Sequence, residues 1–201
     1  MGVHDSGKTE LLVVAGLGNP GSAYHSTRHN IGFRILDHLA RRAGGQFSFE
    51  SRWNAEVATF DAFLLVKPMT FMNRSGESVA GLARFRKIAP EQILVVVDDV
   101  ALPFGRLRLR KEGSDGGHNG LASLTQCLGS SAFPRLRVGV DSPLPTQSLE
   151  SFVLSRFTAD EEAVMNSVID RAADAVELAF RDGMDSAMNT FNQNPSNQKN
   201  L

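Results

Sequence analysis

Several things are scarce in this chain, and each shortage excludes a class of protein. There is one cysteine, Cys127, so no internal disulfide framework can form, and the composition fits a reducing compartment. Cys127 sits at an apolar helical position, which suits a packed thiol better than a nucleophile. No apolar run is long enough to span a membrane, and the first residues lack the apolar stretch and basic flank of a signal peptide. The expectation is a cytoplasmic protein without membrane contact. Charge of one sign is also lacking. The net charge of −1 argues against a chain that binds polyanions indiscriminately. There is no Gly-x-Ser-x-Gly nucleophile elbow. His25-x-x-x-His29 has helical ligand spacing, but the glutamate of His-Glu-x-x-His is missing and no third ligand lies near in sequence. Neither a metal nor a cofactor is expected.

What is present suffices for a real core. The 201 residues allow one sizeable domain, and 42% hydrophobic with 21% charged residues is ordinary for a globular protein. Strand-like and helix-like patterns alternate. Strands are expected near 11–15, 55–60, 63–67, 93–97, 106–110 and 135–140, with a tight Asp61-Ala62 hairpin link. Helices are expected near 31–43, 75–87 and 121–128. Two more follow in the C-terminal part, the first opened by the capping box Thr158-Ala-Asp-Glu161 and ended by Asp182-Gly183. The continuous β-branched run 93–97 reads as a buried parallel strand. The sum is one α/β domain with a mixed sheet over residues 1–191, and a polar tail, 192–201, expected to be disordered.

Charge is unevenly distributed along this frame. Residues 84–111 carry seven basic and three acidic side chains, whereas 141–185 carry ten acidic and three basic. Such polarity suggests one basic face aimed at an anionic partner. Arg106-Leu-Arg-Leu-Arg110 alternates, so a strand there is basic on one side and apolar on the other.

Two glycine patterns invite a nucleotide reading, and both fail on context. Gly16-x-Gly18-x-x-Gly21 follows a strand, as a dinucleotide fingerprint should. However, Pro20 breaks the run where a helix must open, and Asp37, the nearest acidic candidate, lies inside a helical pattern. Residues 2–9 spell a P-loop, but they follow only Met1 and lead into a strand, so a frayed terminus fits better.

Residues able to do acid–base chemistry gather instead at expected strand ends and loops. His29 precedes a helix, and Asp98 and Asp99 close the strand 93–97. In open α/β sheets the crevice at the carboxyl ends of strands is the usual ligand site. A His held by an Asp there is an oriented general base. The bland alternative is that both merely cap local structure, and spacing alone does not choose. Lys67-Pro-Met-Thr-Phe71-Met-Asn73 and Gly116-Gly-His-Asn119-Gly120 add loops at helix starts. Their amides could serve as N-caps or as donors to an oxyanion.

Together the segments Gly16-Leu-Gly-Asn-Pro-Gly21 with Tyr24 and Arg28-His29-Asn30, Thr70-Phe71-Met72-Asn73, Asp98-Asp99 with Leu102-Pro103 and Gly105, and Gly116-Gly-His-Asn119-Gly120 resemble bacterial peptidyl-tRNA hydrolases. The strand Arg135-Leu-Arg137-Val-Gly-Val140 agrees, and the likeness runs from about Leu11 to Phe191. The resemblance implies a monomeric single-domain α/β hydrolase with a twisted mixed sheet flanked by helices. It implies cleavage of the ester between a peptide and the 3′-terminal ribose of tRNA. By motif position, His29 is the implied base and Asp98 the carboxylate that holds it. Asn19 matches the amide that separates peptidyl-tRNA from unblocked aminoacyl-tRNA. Tyr24, Phe71, Asn73 and Asn119 match substrate-binding positions, and Arg108, Arg110 and Arg137 match basic tRNA contacts. The family more often has lysine at 108 and 110, Glu at 99 and His at 97. Peptidyl-tRNA is the implied partner, and whether it is also met on the ribosome is left open. Two rivals remain in view: a non-catalytic RNA-binding relative, and a nucleotide-dependent enzyme.

Overall fold

The computed structural model describes residues 10–193. The P-loop spelling at 2–9 and the tail from 194 onward lie outside the described residues. Seven strands appear in chain order: β1 (Val13–Gly16), β2 (Ser48–Glu50), β3 (Ala55–Thr59), β4 (Leu64–Pro68), β5 (Ile93–Asp99), β6 (Leu107–Arg110) and β7 (Arg135–Gly139). They form one sheet in the order β2-β3-β4-β1-β5-β7-β6. β1 pairs in parallel with β4 and β5, and β5 in parallel with β7. The expected hairpin is β3–β4, antiparallel, and β6 is antiparallel to β7 at one edge. The sheet is mixed, as expected. β2, at the opposite edge, was not expected from sequence; its three residues are all exposed and carry no alternating pattern.

Among the described residues six α-helices accompany the sheet: α1 (Ile31–Arg42), α2 (Ser75–Arg86), α3 (Asn119–Leu128), α4 (Leu149–Val153), α5 (Ala159–Asp182) and α6 (Met184–Phe191). Strand alternation divides them between two faces. Val14, Leu94, Val96, Leu136 and Val138 pack with Ile31 and Ile35 of α1 and with Val168, Ile169 and Val176 of α5. Val13, Ala15, Ile93, Val95 and Val97 pack with Val79 and Leu82 of α2 and with Leu121 and Leu124 of α3. Each of the Val, Leu and Ile side chains among them, fully buried, contributes about 1.5–3 kcal/mol. The strand ends are therefore held from both sides.

Details adjust the expectations. The capping box at the start of α5 is formed: Thr158 N–H donates to Glu161 Oε2 at 2.7 Å, and Glu161 N–H to Thr158 Oγ1 at 3.3 Å. Val164 of α5 is 50% exposed. Asn192 and Gln193, assigned to a disordered tail, are docked on β6. Leu109 N–H donates to Asn192 Oδ1 at 2.7 Å, Asn192 Nδ2 donates to Leu109 O at 3.1 Å, and Arg106 binds the carbonyls of both tail residues. An edge strand offers free backbone groups, and a side-chain amide supplies both partners they need.

The placement of α1 governs the site. A Cβ on Gly32 would lie 2.5 Å from Leu17 N and O and 2.6 Å from Val96 O. The first turn of α1 thus rests directly on the end of β1 and on Val96 in the middle of β5, and only glycine permits that approach. The glycines before it have separate jobs. Gly16 and Gly18 leave room for Gly32 and Phe33, and only Gly21 adopts a left-handed backbone, with φ +103°.

Candidate active site

A cleft of about 550 Å³ opens at the carboxyl ends of β1 and β5. Its walls include Asn19, His29, Phe71, Asn73, Asp98 and Asn119, with Arg137 at one side. His29 sits in a single 3-10 turn (Arg28–Asn30) just before α1. Its Nδ1 lies 2.8 Å from Asp98 Oδ1 at the end of β5. Nε2 has no partner among the described residues. Asp98 is 4% exposed. Burial alone would raise its pKa, but the imidazoles bonded to it outweigh burial and hold the carboxyl well below the usual carboxylate range.

The loop between β1 and the His29 turn is closed by one amide. Asn30 Oδ1 accepts from Asn19 N–H and Asn30 Nδ2 donates to Asn19 O, both at 2.9 Å. This clamp fixes Asn19 relative to His29. The Asn19 side chain in turn accepts from Met72 N–H at 2.8 Å, which ties down the loop after β4. With Oδ1 so engaged, Nδ2 is its free end.

The other expected residues divide into three groups. Asn73 and Asn119 line the cleft with side-chain amides that make no hydrogen bond among the described residues. Neither is a helix cap: α2 begins after Arg74 without a side-chain cap, and His118 caps α3. Phe71 is 57% exposed on the cleft wall. Tyr24 is outside the cleft but meets the Phe71 ring edge-on, with centroids 6.4 Å apart. Arg137 pairs with Asp99, Nε to Oδ2 2.9 Å. Arg108 stands opposite Arg137 in the β6–β7 register, and Arg110 follows on the same face. These two lead away from the cleft and have no ion-pair partner among the described residues.

The expected single basic face is narrower than the charge count suggested. Arg106 is committed to the carbonyls of residues 192 and 193, and Lys111 pairs with Asp185 at 2.8 Å.

Three features of the site were not read from sequence. His118 Nε2 lies 3.1 Å from the same Asp98 Oδ1 that holds His29. Arg28, buried beside His29, forks onto Glu161 at 2.8 and 2.7 Å and lies over the rings of Phe152 and Phe157. Finally, α4 supplies a wall of Leu149, Glu150, Val153 and Leu154. The signal for α4 was present in Ser148, whose hydroxyl accepts from Ser151 N–H at 3.2 Å as an N-cap. For His118 the signal was its place directly before a helix start. Ligand atoms of His29, Asp98 and His118 all lie within 4.8 Å of one another, a donor set that could suit a metal, but in this structure they already bond to one another through Asp98.

Fold and cleft define a class: a single-domain α/β protein with a mixed sheet and an Asp-held histidine where two central parallel strands end. Residues 13–200 match the model of the peptidyl-tRNA hydrolase family. A peptidyl-tRNA hydrolase of Roseiflexus sp. (strain RS-1) is 47% identical over 194 residues, 94% of this chain and 89% of the relative. One from Mycolicibacterium smegmatis is 44% identical over 185 residues, 90% of this chain and 97% of the relative. The crystal structure of peptidyl-tRNA hydrolase from Acinetobacter baumannii superposes with a TM-score of 0.86 at 34% identity, covering 95% of this chain and 97% of that one. The chain belongs to the peptidyl-tRNA hydrolase family.

Proposed function

We propose that this chain hydrolyses the ester between a peptide and the 3′-terminal ribose of tRNA, freeing tRNA from peptidyl-tRNA that ribosomes release prematurely. The observation that carries the reading is the 2.8 Å contact of His29 Nδ1 with buried Asp98, which leaves Nε2 beside a cleft with no partner among the described residues. Asp98 holds His29 with its proton on Nδ1, so Nε2 is the basic nitrogen. Nε2 takes a proton from water as the water oxygen attacks the ester carbonyl, and Asp98 stabilises the imidazolium that forms. Negative charge develops on the former carbonyl oxygen, and the free amides of Asn73 and Asn119 are the donors available for it. Collapse expels the ribose oxygen, which takes the proton back from His29. No covalent nucleophile is required.

Asn19 supplies selectivity in this scheme. Its Nδ2 is a fixed donor, suited to the carbonyl oxygen of a peptide bond. Unblocked aminoacyl-tRNA offers an ammonium instead, so donor meets donor. Phe71, with Tyr24 at its edge, gives an apolar platform for the acyl or terminal-nucleoside portion. Arg137, Arg108 and Arg110 form a row that meets phosphates without reading sequence, as an enzyme accepting many tRNAs requires.

Comparing hydrolysis of N-acetylated and free aminoacyl-tRNA, with EDTA present, tests the proposal. Rapid release from the acetylated substrate and little from the free one is the expected result. RNA binding without cleavage of either would contradict it. EDTA-sensitive cleavage would contradict the metal-free mechanism.

A further inference from the structure

His118 is bonded at both ring nitrogens, and these three bonds together fix where its proton sits. Nδ1 faces the first turn of α3 and accepts from Gly120 N–H at 3.1 Å and Leu121 N–H at 3.3 Å. A nitrogen that accepts from backbone N–H groups carries no proton of its own. The single proton of the neutral ring must therefore be on Nε2, which points at Asp98 Oδ1 from 3.1 Å. Protonating Nδ1 would set a third N–H against those two donors, at the positive end of a helix. We propose that His118 is a permanently neutral second donor to Asp98, a positioning residue that shares the carboxylate with His29 and keeps His29 deprotonated, and so active, to lower pH than Asp98 alone would allow.

This role of His118 rests on the reading of His29 as the base, and it follows from how Asp98 divides its charge. Oδ1 accepts from both rings, whose centroids are 4.9 Å apart at 48°. A donor on the carboxylate reduces the negative charge felt by the other ring. Without His118, Asp98 attracts the His29 imidazolium more strongly, and the base loses its proton at higher pH. Other charges around the cleft are accounted for. Asp99 of β5 pairs with Arg137 of β7, Asp115 accepts from Gly117 N–H, and Arg28 turns to Glu161 of α5. Glu150 of α4 lines the far wall. The same proton count disfavours a metal between the three side chains. A cation would need His118 Nε2 bare, and its proton could move only to Nδ1, against two N–H groups.

Two measurements test this separately from the hydrolytic reading. In ¹⁵N-labelled wild-type protein, long-range ¹H–¹⁵N correlation should show His118 with Nε2 protonated and Nδ1 bare, unchanged from about pH 8 to about pH 5. In the enzyme, His118→Ala should move the acid limb of the kcat/KM profile upward by roughly half to one pH unit. His118→Gln, which returns a donor at similar reach, should move it back. A His118 that titrates in that window, or carries its proton on Nδ1, overturns the proposal whether or not the variants fold. A folded His118→Ala enzyme with lowered activity and an unmoved acid limb would show a merely structural role and overturn it too.

Discussion

His29 and Asp98 are 69 residues apart in the chain and 2.8 Å apart in space. Their residue types were legible in the sequence, His29 before a helix and Asp98 at a strand end, because on the proposed reading a His, an Asp and three amides without a nucleophile elbow suit water attack assisted by a base. Their contact was not legible. It depends on β1 lying beside β5, which no local spacing encodes. His118 was harder still, since its neighbour Asn119 offered the amide expected of a cap, whereas His118 itself caps α3. Asp98→Asn keeps the shape but removes the charge that orients and stabilises His29, so kcat should fall ~10²–10⁴-fold with the fold intact. Circular dichroism alongside turnover checks both halves. Asp98 also ties stability to pH. Its pKa in the folded state is lowered, so its contribution is complete above the unfolded value of about 4 and is lost as pH falls below it. Urea unfolding should show a drop between neutral and acid pH that is smaller in Asp98→Asn. An equal drop in both proteins would assign the acid sensitivity elsewhere.

Among the elements, the strong patterns were legible and the short ones were not. The β-branched run 93–97 became the core of β5, which continues through both aspartates. The apolar spacing after His29 became α1, with Ile31, Ile35, Leu36 and Leu39 all buried. α4 escaped because five residues show no helical period and Pro143 and Pro145 precede it, yet it forms a wall of the cleft. The docked start of the tail escaped because a polar sequence reads as loop, whereas Asn192 finds free backbone groups on Leu109. Gly32 is where an element's packing and the site are most tightly linked. Gly32→Ala forces α1 off the end of β1 and off Val96 of β5, and overpacking of this kind typically costs about 1–3 kcal/mol. The expected result is a lower urea midpoint together with reduced kcat, because the turn bearing His29 moves with α1. Unchanged stability would mean that this contact is looser than 2.5 Å implies.

For the molecule as a whole, the sheet order sets the cleft proposed for catalysis beside the arginine row proposed for tRNA binding. The cleft lies where β1 and β5 end, and the arginine row runs from Arg137 on β7 to Arg108 and Arg110 on the edge strand β6. The net charge of −1 conceals this arrangement, because acidic side chains elsewhere balance the row. Arg108→Glu with Arg110→Glu should raise KM, leave kcat near wild type and flatten the salt dependence of KM, since fewer counterions are released on binding. A salt slope equal to wild type would remove the row from the tRNA face. Binding and cleavage are thus separable, and His29→Ala tests that most directly when hydrolysis of N-acetyl-aminoacyl-tRNA and the Kd for tRNA are measured on the same preparation. The account predicts turnover reduced ~10²–10⁴-fold with Kd nearly unchanged. Wild-type turnover in His29→Ala would contradict it.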